Sequence, residues 1–231
     1  MSSSPLEDFR RNGFVVLPMF LDARTRTQLR RAADFALTWS RAHCRETSHS
    51  TPRISLLTQA SSIEDGAATL APIWAFAASP RVCALLEAIA QCESADALQL
   101  KDAHYYHEQT MRDWDGDWHR DSQFSGPDPE LERELIASTC SVHVRVALED
   151  DDRLEIVPSS HARWDTAEEL RVRKGRNRAT DQMPHAARIS LEAGDACLFH
   201  AWSIHRATYR RAPIRRTLDL LYGSRRAGGG T

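Results

Sequence analysis

His119 and Asp121, in the segment DWHRDSQ, stand two residues apart. In an extended chain alternate side chains share a face, so this imidazole and carboxylate can converge on one point. Two imidazoles and one carboxylate on one face are the donor set that holds iron(II) in oxygenases, with positions left open for a cosubstrate and oxygen. The third donor must come from elsewhere, and His205 is the candidate: Gly194 and Asp195 make a turn, ACLFHAW reads as a buried strand, and His205 sits just past its end. Further along, Arg215 opens another strand with Thr217 on its face. A buried guanidinium beside a hydroxyl grips a carboxylate through paired hydrogen bonds, as a dicarboxylate cosubstrate requires. Taken alone, an H-x-D is common in surface turns; the ordered downstream partners make this one specific.

Other residues compete for attention. HYYHE, His104 to Glu108, offers two histidines, but three apart on a strand they face opposite sides, which predicts solvated or hydrogen-bonding roles. His161 and His200 read as structural, and His185, in a loop with Pro184, as exposed. Tryptophans 74, 114, 118, 164 and 202 predict core filling, except Trp118, which adjoins a ligand and is placed with Gln123 among the candidate substrate contacts. In CSVHVRVALE, Val142, Val144, Val146 and Leu148 alternate with Ser141, His143, Arg145 and Ala147. Helices over the valine face would turn His143 and Arg145 into the barrel, where an unpaired charge is not tolerated. Arg145 is then expected to meet an anionic group of cosubstrate or substrate, with His143 as an accessory contact. The charged stretches 127–135 and 163–185 predict solvated faces, with a place at the mouth of the site.

The elements that must position these residues are legible in outline. The first part of the chain, about 1–95, reads as a short helix with a glycine stop, the strand GFVVLP, a long amphipathic helix entered near Asp22, a loop over 44–66 with at most one short strand, and a helix capped by Ser79 with Pro80 in its first turn. From 97 to 223 short strand-like runs alternate with turns, and 224–231 reads as a frayed tail. One α+β domain over 1–231 is expected, helices buttressing a β-sandwich or barrel. With 30 basic and 32 acidic side chains nothing favours nucleic acid or an anionic membrane as partner. The five cysteines form no C-x-x-C pair and read as core residues or free thiols. The start MSSSPLEDFRRNG lacks the features of a signal peptide, which predicts a cytoplasmic protein.

The segments NGFVVLPMFLD, WHRDSQ, ALEDDDRLEIVPSSH, GDACLFHAWSIH and RRTLDLLYG together resemble the phytanoyl-CoA dioxygenase family of iron(II)- and 2-oxoglutarate-dependent oxygenases, over most of the chain. The resemblance implies a double-stranded β-helix, or jelly roll, with helices on its larger sheet. It implies Fe(II) on His119, Asp121 and His205, 2-oxoglutarate on Arg215 and Thr217, and O2 as oxidant. The implied reaction is hydroxylation of an unactivated C–H bond of a small molecule, with release of succinate and carbon dioxide. Desaturation, cyclisation and demethylation share the motif, and a barrel that binds metal without turnover is the non-enzymatic alternative. Asp121 disfavours halogenation, whose enzymes lack the carboxylate ligand. Two departures stand out: DDRLE replaces an Asn-Gly turn and Ser159 a glycine, which predicts a differently shaped loop, and Arg216 competes with Arg215 because many members carry the arginine one residue later.

Overall fold

The computed structural model describes residues 4–43, 53–61, 63, 66–93, 95–107, 112–125 and 128–224. Helix α1 (Pro5–Asn12) leads into strand β1 (Phe14–Leu17) and the long helix α2 (Ala23–His43). The 44–66 region holds β2 (Arg53–Ser55), as expected, but also two short helices, α3 (Leu56–Ala60) and α4 (Gly66–Thr69), where a loop was predicted. Helices α5 (Ala71–Ala77) and α6 (Pro80–Cys92) follow, then β3 (Gln99–Tyr106), β4 (Trp114–Asp115), α7 (Ser122–Ser125), α8 (Pro129–Ser138), β5 (Ser141–Ala147), β6 (Asp151–Ile156), α9 (Ala167–Lys174), β7 (Ala187–Leu191), β8 (Ala196–His200), β9 (His205–Tyr209) and β10 (Thr217–Gly223). Cys44, Glu108 and the 225–231 tail lie outside the described residues.

The strands form two antiparallel sheets, one of six strands in the order β1-β8-β5-β10-β3-β2 and one of four in the order β4-β9-β6-β7. This is a jelly roll with helices on the larger sheet. The alternation on β5 decides which face is which: Val142, Val144, Val146 and Leu148 pack with Leu29, Ala33 and Ala36 of α2, Ile73 and Phe76 of α5 and Val82, Leu86 and Ile89 of α6 in one core. Each of the Val, Leu, Ile and Phe side chains among them gains roughly 1.5–3 kcal/mol from burial. His143 and Arg145 therefore point between the sheets. Ala71–Gln91 is long and apolar enough to cross a membrane, yet it is two helices separated at Ser79, and its Ile73, Phe76, Val82, Leu86 and Ile89 belong to that core.

Caps behave as the sequence predicts. Ser79 accepts from the Val82 amide at 3.4 Å, and Asp22 from the Thr25 amide at 2.6 Å. Gly13 ends α1 with φ 78°, a left-handed conformation that costs other residues about 1–2 kcal/mol. A Cβ at Gly13 would lie 2.4 Å from His161 Nδ1. Gly13→Ala is therefore expected to lower Tm by at least about 2–4 °C, measured by calorimetry. The loop at Ser159 departs from expectation in an instructive way. Ser159 itself takes the left-handed conformation, φ 61°, with its amide and hydroxyl donating to the Asn12 and Arg11 carbonyls, both at 2.7 Å. The turn a glycine would serve is thus retained by tying serine to the end of α1.

Candidate active site

His119, Asp121 and His205 come together between the sheets, their donor atoms all within 4.8 Å of one another. The backbone does this differently from a regular strand. His119 forms an isolated bridge with His205, each amide donating to the other's carbonyl at 3.0 and 2.9 Å. Asp121, whose amide donates to Ala201 O at 3.1 Å, already begins the turn into α7. Extended geometry is kept over just enough residues to align the two side chains. His205, predicted just past the end of a strand, opens one: β8 stops at His200, a turn follows, and β9 begins at His205.

Each imidazole is oriented for ligation. Nδ1 of His119 donates to Asp117 O at 2.7 Å and Nδ1 of His205 to Ser203 O at 2.9 Å, which fixes the tautomer and leaves both Nε2 lone pairs for a metal. Nε2 of His119 lies 3.4 Å, and that of His205 3.6 Å, from Asp121 Oδ1. Burial, with His119 adjacent, pushes the His205 pKa down to about 3, so this imidazole is neutral, as a ligand must be. Burial raises the Asp121 pKa, but the imidazoles of His119, His143 and His205 around it outweigh burial and hold the carboxyl well below the usual range.

Behind the triad runs a chain of charges. His143 Nε2 reaches Asp121 Oδ2 at 2.9 Å and its Nδ1 reaches Asp219 Oδ1 at 2.7 Å. Burial alone would lower the His143 pKa; Asp219 and Asp121 overcome it and push it up to about 10. Arg145, expected to meet a ligand anion, has a protein partner: Nε and Nη2 donate to Asp219 Oδ2 at 2.8 and 2.5 Å. Arg215 is fully buried, its Nε 3.1 Å from Asp151 Oδ2 and 3.4 Å from Thr217 Oγ1, and the Thr217 hydroxyl donates to the same carboxylate oxygen at 2.7 Å. Arg216 points to the other side of the sheet and pairs with Asp34 of α2 at 3.1 Å. The adjacent arginines thus occupy opposite faces, and only Arg215 looks inward.

A cavity of about 1010 Å³ opens onto the triad, lined among others by Tyr106, Trp114, Phe124, His143, Arg145 and Tyr209. His104 borders it too, paired with Asp102 at 3.1 Å, while His107 is buried on the other side. Trp114 stacks on Tyr209 with centroids 4.0 Å apart. Two predicted substrate contacts lie elsewhere. Trp118, next to a ligand in sequence, points the opposite way from His119 and is buried with Val157, Val172, Met183 and Ile204; alternation in an extended segment requires this. Gln123 accepts from Arg173 Nη1 at 3.0 Å and does not border the cavity. His161 and His200 are buried structural groups and His185 is exposed.

The charged stretches expected to be solvated contain the least expected feature. Arg120, between His119 and Asp121, is fully buried and donates through Nε and Nη2 to Asp165 at 2.8 and 2.6 Å and through Nη1 to Ser160 O at 2.7 Å and to Trp202 O. Arg173 of α9 bonds the other oxygen of Asp165 at 2.6 Å and Glu132 of α8 at 2.7 Å. These five-donor forks clamp the His119–Asp121 segment to both helices. Hydrophobic patterning could not reveal this, because the partners lie far apart in the chain.

A jelly roll whose two sheets enclose two histidines and an aspartate, with an inward arginine two residues before the last strand rather than on it, defines a non-haem iron, 2-oxoglutarate-dependent oxygenase. The sequence profile of the phytanoyl-CoA dioxygenase (PhyH) family matches residues 9–217, and the chain belongs to that family. The enzymes of this class use Fe(II), 2-oxoglutarate and O2, and the donor set here suits them: neutral imidazoles and a carboxylate for the metal, and inward cations for a dicarboxylate. Among solved structures, the fold is similar to the non-haem α-ketoglutarate-dependent epimerase SnoN from nogalamycin biosynthesis (19% identity, 98% of this chain and 86% of that one, TM-score 0.64). It is also similar to EctD from S. alaskensis with bound Fe (16% identity, 97% and 77%, TM-score 0.67) and to HygX from Streptomyces hygroscopicus with nickel and 2-oxoglutarate bound (14% identity, 97% and 87%, TM-score 0.67). No curated protein matches by sequence.

Proposed function

We propose that the protein hydroxylates an unactivated C–H bond of a small molecule, with His119, Asp121 and His205 as iron ligands and Arg215 and Thr217 at the far end of the 2-oxoglutarate seat. The observation that carries this reading is the convergence of three donors with both Nε2 atoms free, at the wall of a cavity. Iron and 2-oxoglutarate, when bound, supply the oxidising power: oxygen is reduced as the keto acid is decarboxylated to succinate and a substrate C–H bond is oxidised. The chain's own residues hold and orient. Carbonyls of Asp117 and Ser203 fix the two imidazoles, His143 fixes the free oxygen of Asp121, and the Trp114–Tyr209 stack with Phe124 offers apolar faces to a small-molecule substrate. The reading extends to one domain built from the helical layer and the jelly roll together, because the helices of the first part complete the core of the larger sheet.

The test is succinate formation from 2-oxoglutarate in the presence of Fe(II) and a panel of small molecules, with product mass determined. Gain of one oxygen atom supports hydroxylation, whereas loss of two hydrogens or an unchanged mass assigns desaturation, cyclisation or epimerisation; the similarity to an epimerase gives the last a concrete precedent. Absence of iron-dependent succinate under all conditions would leave a metal-binding barrel without turnover. Arg215→Ala is expected to raise the 2-oxoglutarate concentration for half-saturation roughly ten- to a hundredfold, the value of a charged hydrogen bond. Arg216→Ala, on the opposite face, is expected to leave it unchanged.

A further inference from the structure

The inward cation just before the last strand is already engaged. Arg215 and Thr217 share the carboxylate of Asp151, the guanidinium lies 4.4 Å from the centroid of the Tyr106 ring, and neither Arg215 nor Thr217 borders the cavity, whereas Tyr106 and Arg145 do. Arg145 is 3% exposed. Asp219 holds it side-on through Nε and Nη2, and among the described residues Nη1 has no hydrogen-bond partner. A buried N–H without an acceptor is costly. A guanidinium already oriented by one carboxylate loses little further freedom on binding a second.

Its place along the strand sets what it can reach. Arg145 follows His143, which contacts Asp121, by two residues on the same face of β5, about 6.7 Å along a strand. A five-carbon dicarboxylate with its keto-acid end at the triad extends about as far. Thr217 pairs with Ala147, two residues further from the triad, and Arg215 precedes Thr217. Both guanidinium groups lie over the Tyr106 ring, Arg145 at 5.2 Å and Arg215 at 4.4 Å; Arg145 borders the cavity and Arg215 stands as a second cation behind it.

We infer that Arg145 is a second grip on the cosubstrate, the one that faces the cavity, and that its Nη1 donates to the distal carboxylate of 2-oxoglutarate. The inference rests on the reading of the triad as an iron and 2-oxoglutarate site. Arg215, tied to Asp151, is the fixed charge behind it. His143 and Arg145 thereby act from one strand: the former steadies a metal ligand, the latter the far end of what the metal chelates.

Anaerobic titration separates the two ideas. Fe(II)-loaded protein is titrated with 2-oxoglutarate and with 2-oxopentanoate, which lacks the distal carboxylate, following the visible charge-transfer absorption of a chelated keto acid. In Arg145→Gln, 2-oxoglutarate affinity is expected to fall roughly tenfold or more, with 2-oxopentanoate and iron affinities unchanged. Unchanged 2-oxoglutarate affinity, or equal weakening of both keto acids, overturns the inference. A wild-type protein that binds neither keto acid overturns the site reading itself, and the inference with it. Because Arg145→Gln strips Asp219 of a partner, Arg145→Gln with Asp219→Asn is measured beside it. If the single variant does not fold, the double variant decides by the same criteria.

Discussion

Asp121→Ala is expected to abolish iron-dependent succinate formation and to reduce metal affinity by well over the ten- to hundredfold typical of losing a group that merely orients a ligand. Asp121 does two things at once. Oδ1 faces both Nε2 atoms of the histidines, and Oδ2 accepts from His143. Removing the carboxylate leaves two imidazoles, too few to hold iron(II) against water, and leaves His143 with Asp219 alone. Asp121→Asn keeps the shape but not the charge, and its amide cannot both ligate and accept from His143 through two anionic oxygens. It is expected to lose turnover while keeping the wild-type fold. Metal content after dialysis and succinate release at saturating 2-oxoglutarate are the two measurements. If Asp121→Ala retained both, the carboxylate would have to be removed from the ligand set. His119→Ala and His205→Ala are expected to behave alike, with His205→Ala the more damaging to folding because its side chain is the more buried.

Much of this site is legible in the sequence because the rules that place it are local. Alternation puts His119 with Asp121 and turns Val142 from His143; the same rule, applied one residue further, would have turned Trp118 away from the cavity, and proximity in sequence was the wrong guide there. Thr217 and Arg215 follow from the parity of one strand, and Arg216 falls outside by the same parity. What sequence does not display is pairing across the fold. Arg145 had to find an anion, as burial of a charge demands, but that the anion is Asp219 depends on the neighbouring strand's register, Asp219 opposite Arg145. Likewise Glu132, Asp165 and Arg173 sit in segments dense with charge, where composition predicts solvent, yet they are buried in one network with Arg120.

That buried cluster is where the largest loss of stability is expected. In Asp165→Ala, two guanidinium groups lose their shared acceptor, Arg120 at Nε and Nη2 and Arg173 at Nε. All three side chains are fully buried, so water cannot substitute. Arg173 retains Glu132; Arg120 retains only carbonyls, among them Ser160 and Trp202, which neutralise no charge. Breaking a buried pair by removing one partner costs about 3–5 kcal/mol. For a domain of this size that lowers Tm by roughly 6–20 °C. The loss should not be confined to stability. Arg120 lies between His119 and Asp121, and its Nη1 bonds to Trp202 O tie that segment to the turn that precedes His205. A slackened Arg120 therefore loosens all three metal ligands together, and metal affinity is expected to fall roughly ten- to a hundredfold at temperatures where the variant is still folded. Arg188→Ala, which breaks the exposed contacts of Arg188 with Asp152 and Glu155, is the comparison and should change stability by no more than about 0.5 kcal/mol. Calorimetry and metal titration on the two variants decide the matter: a Tm for Asp165→Ala within a degree or two of the Arg188→Ala value would mean that the cluster contributes neither to stability nor to the alignment of the ligands.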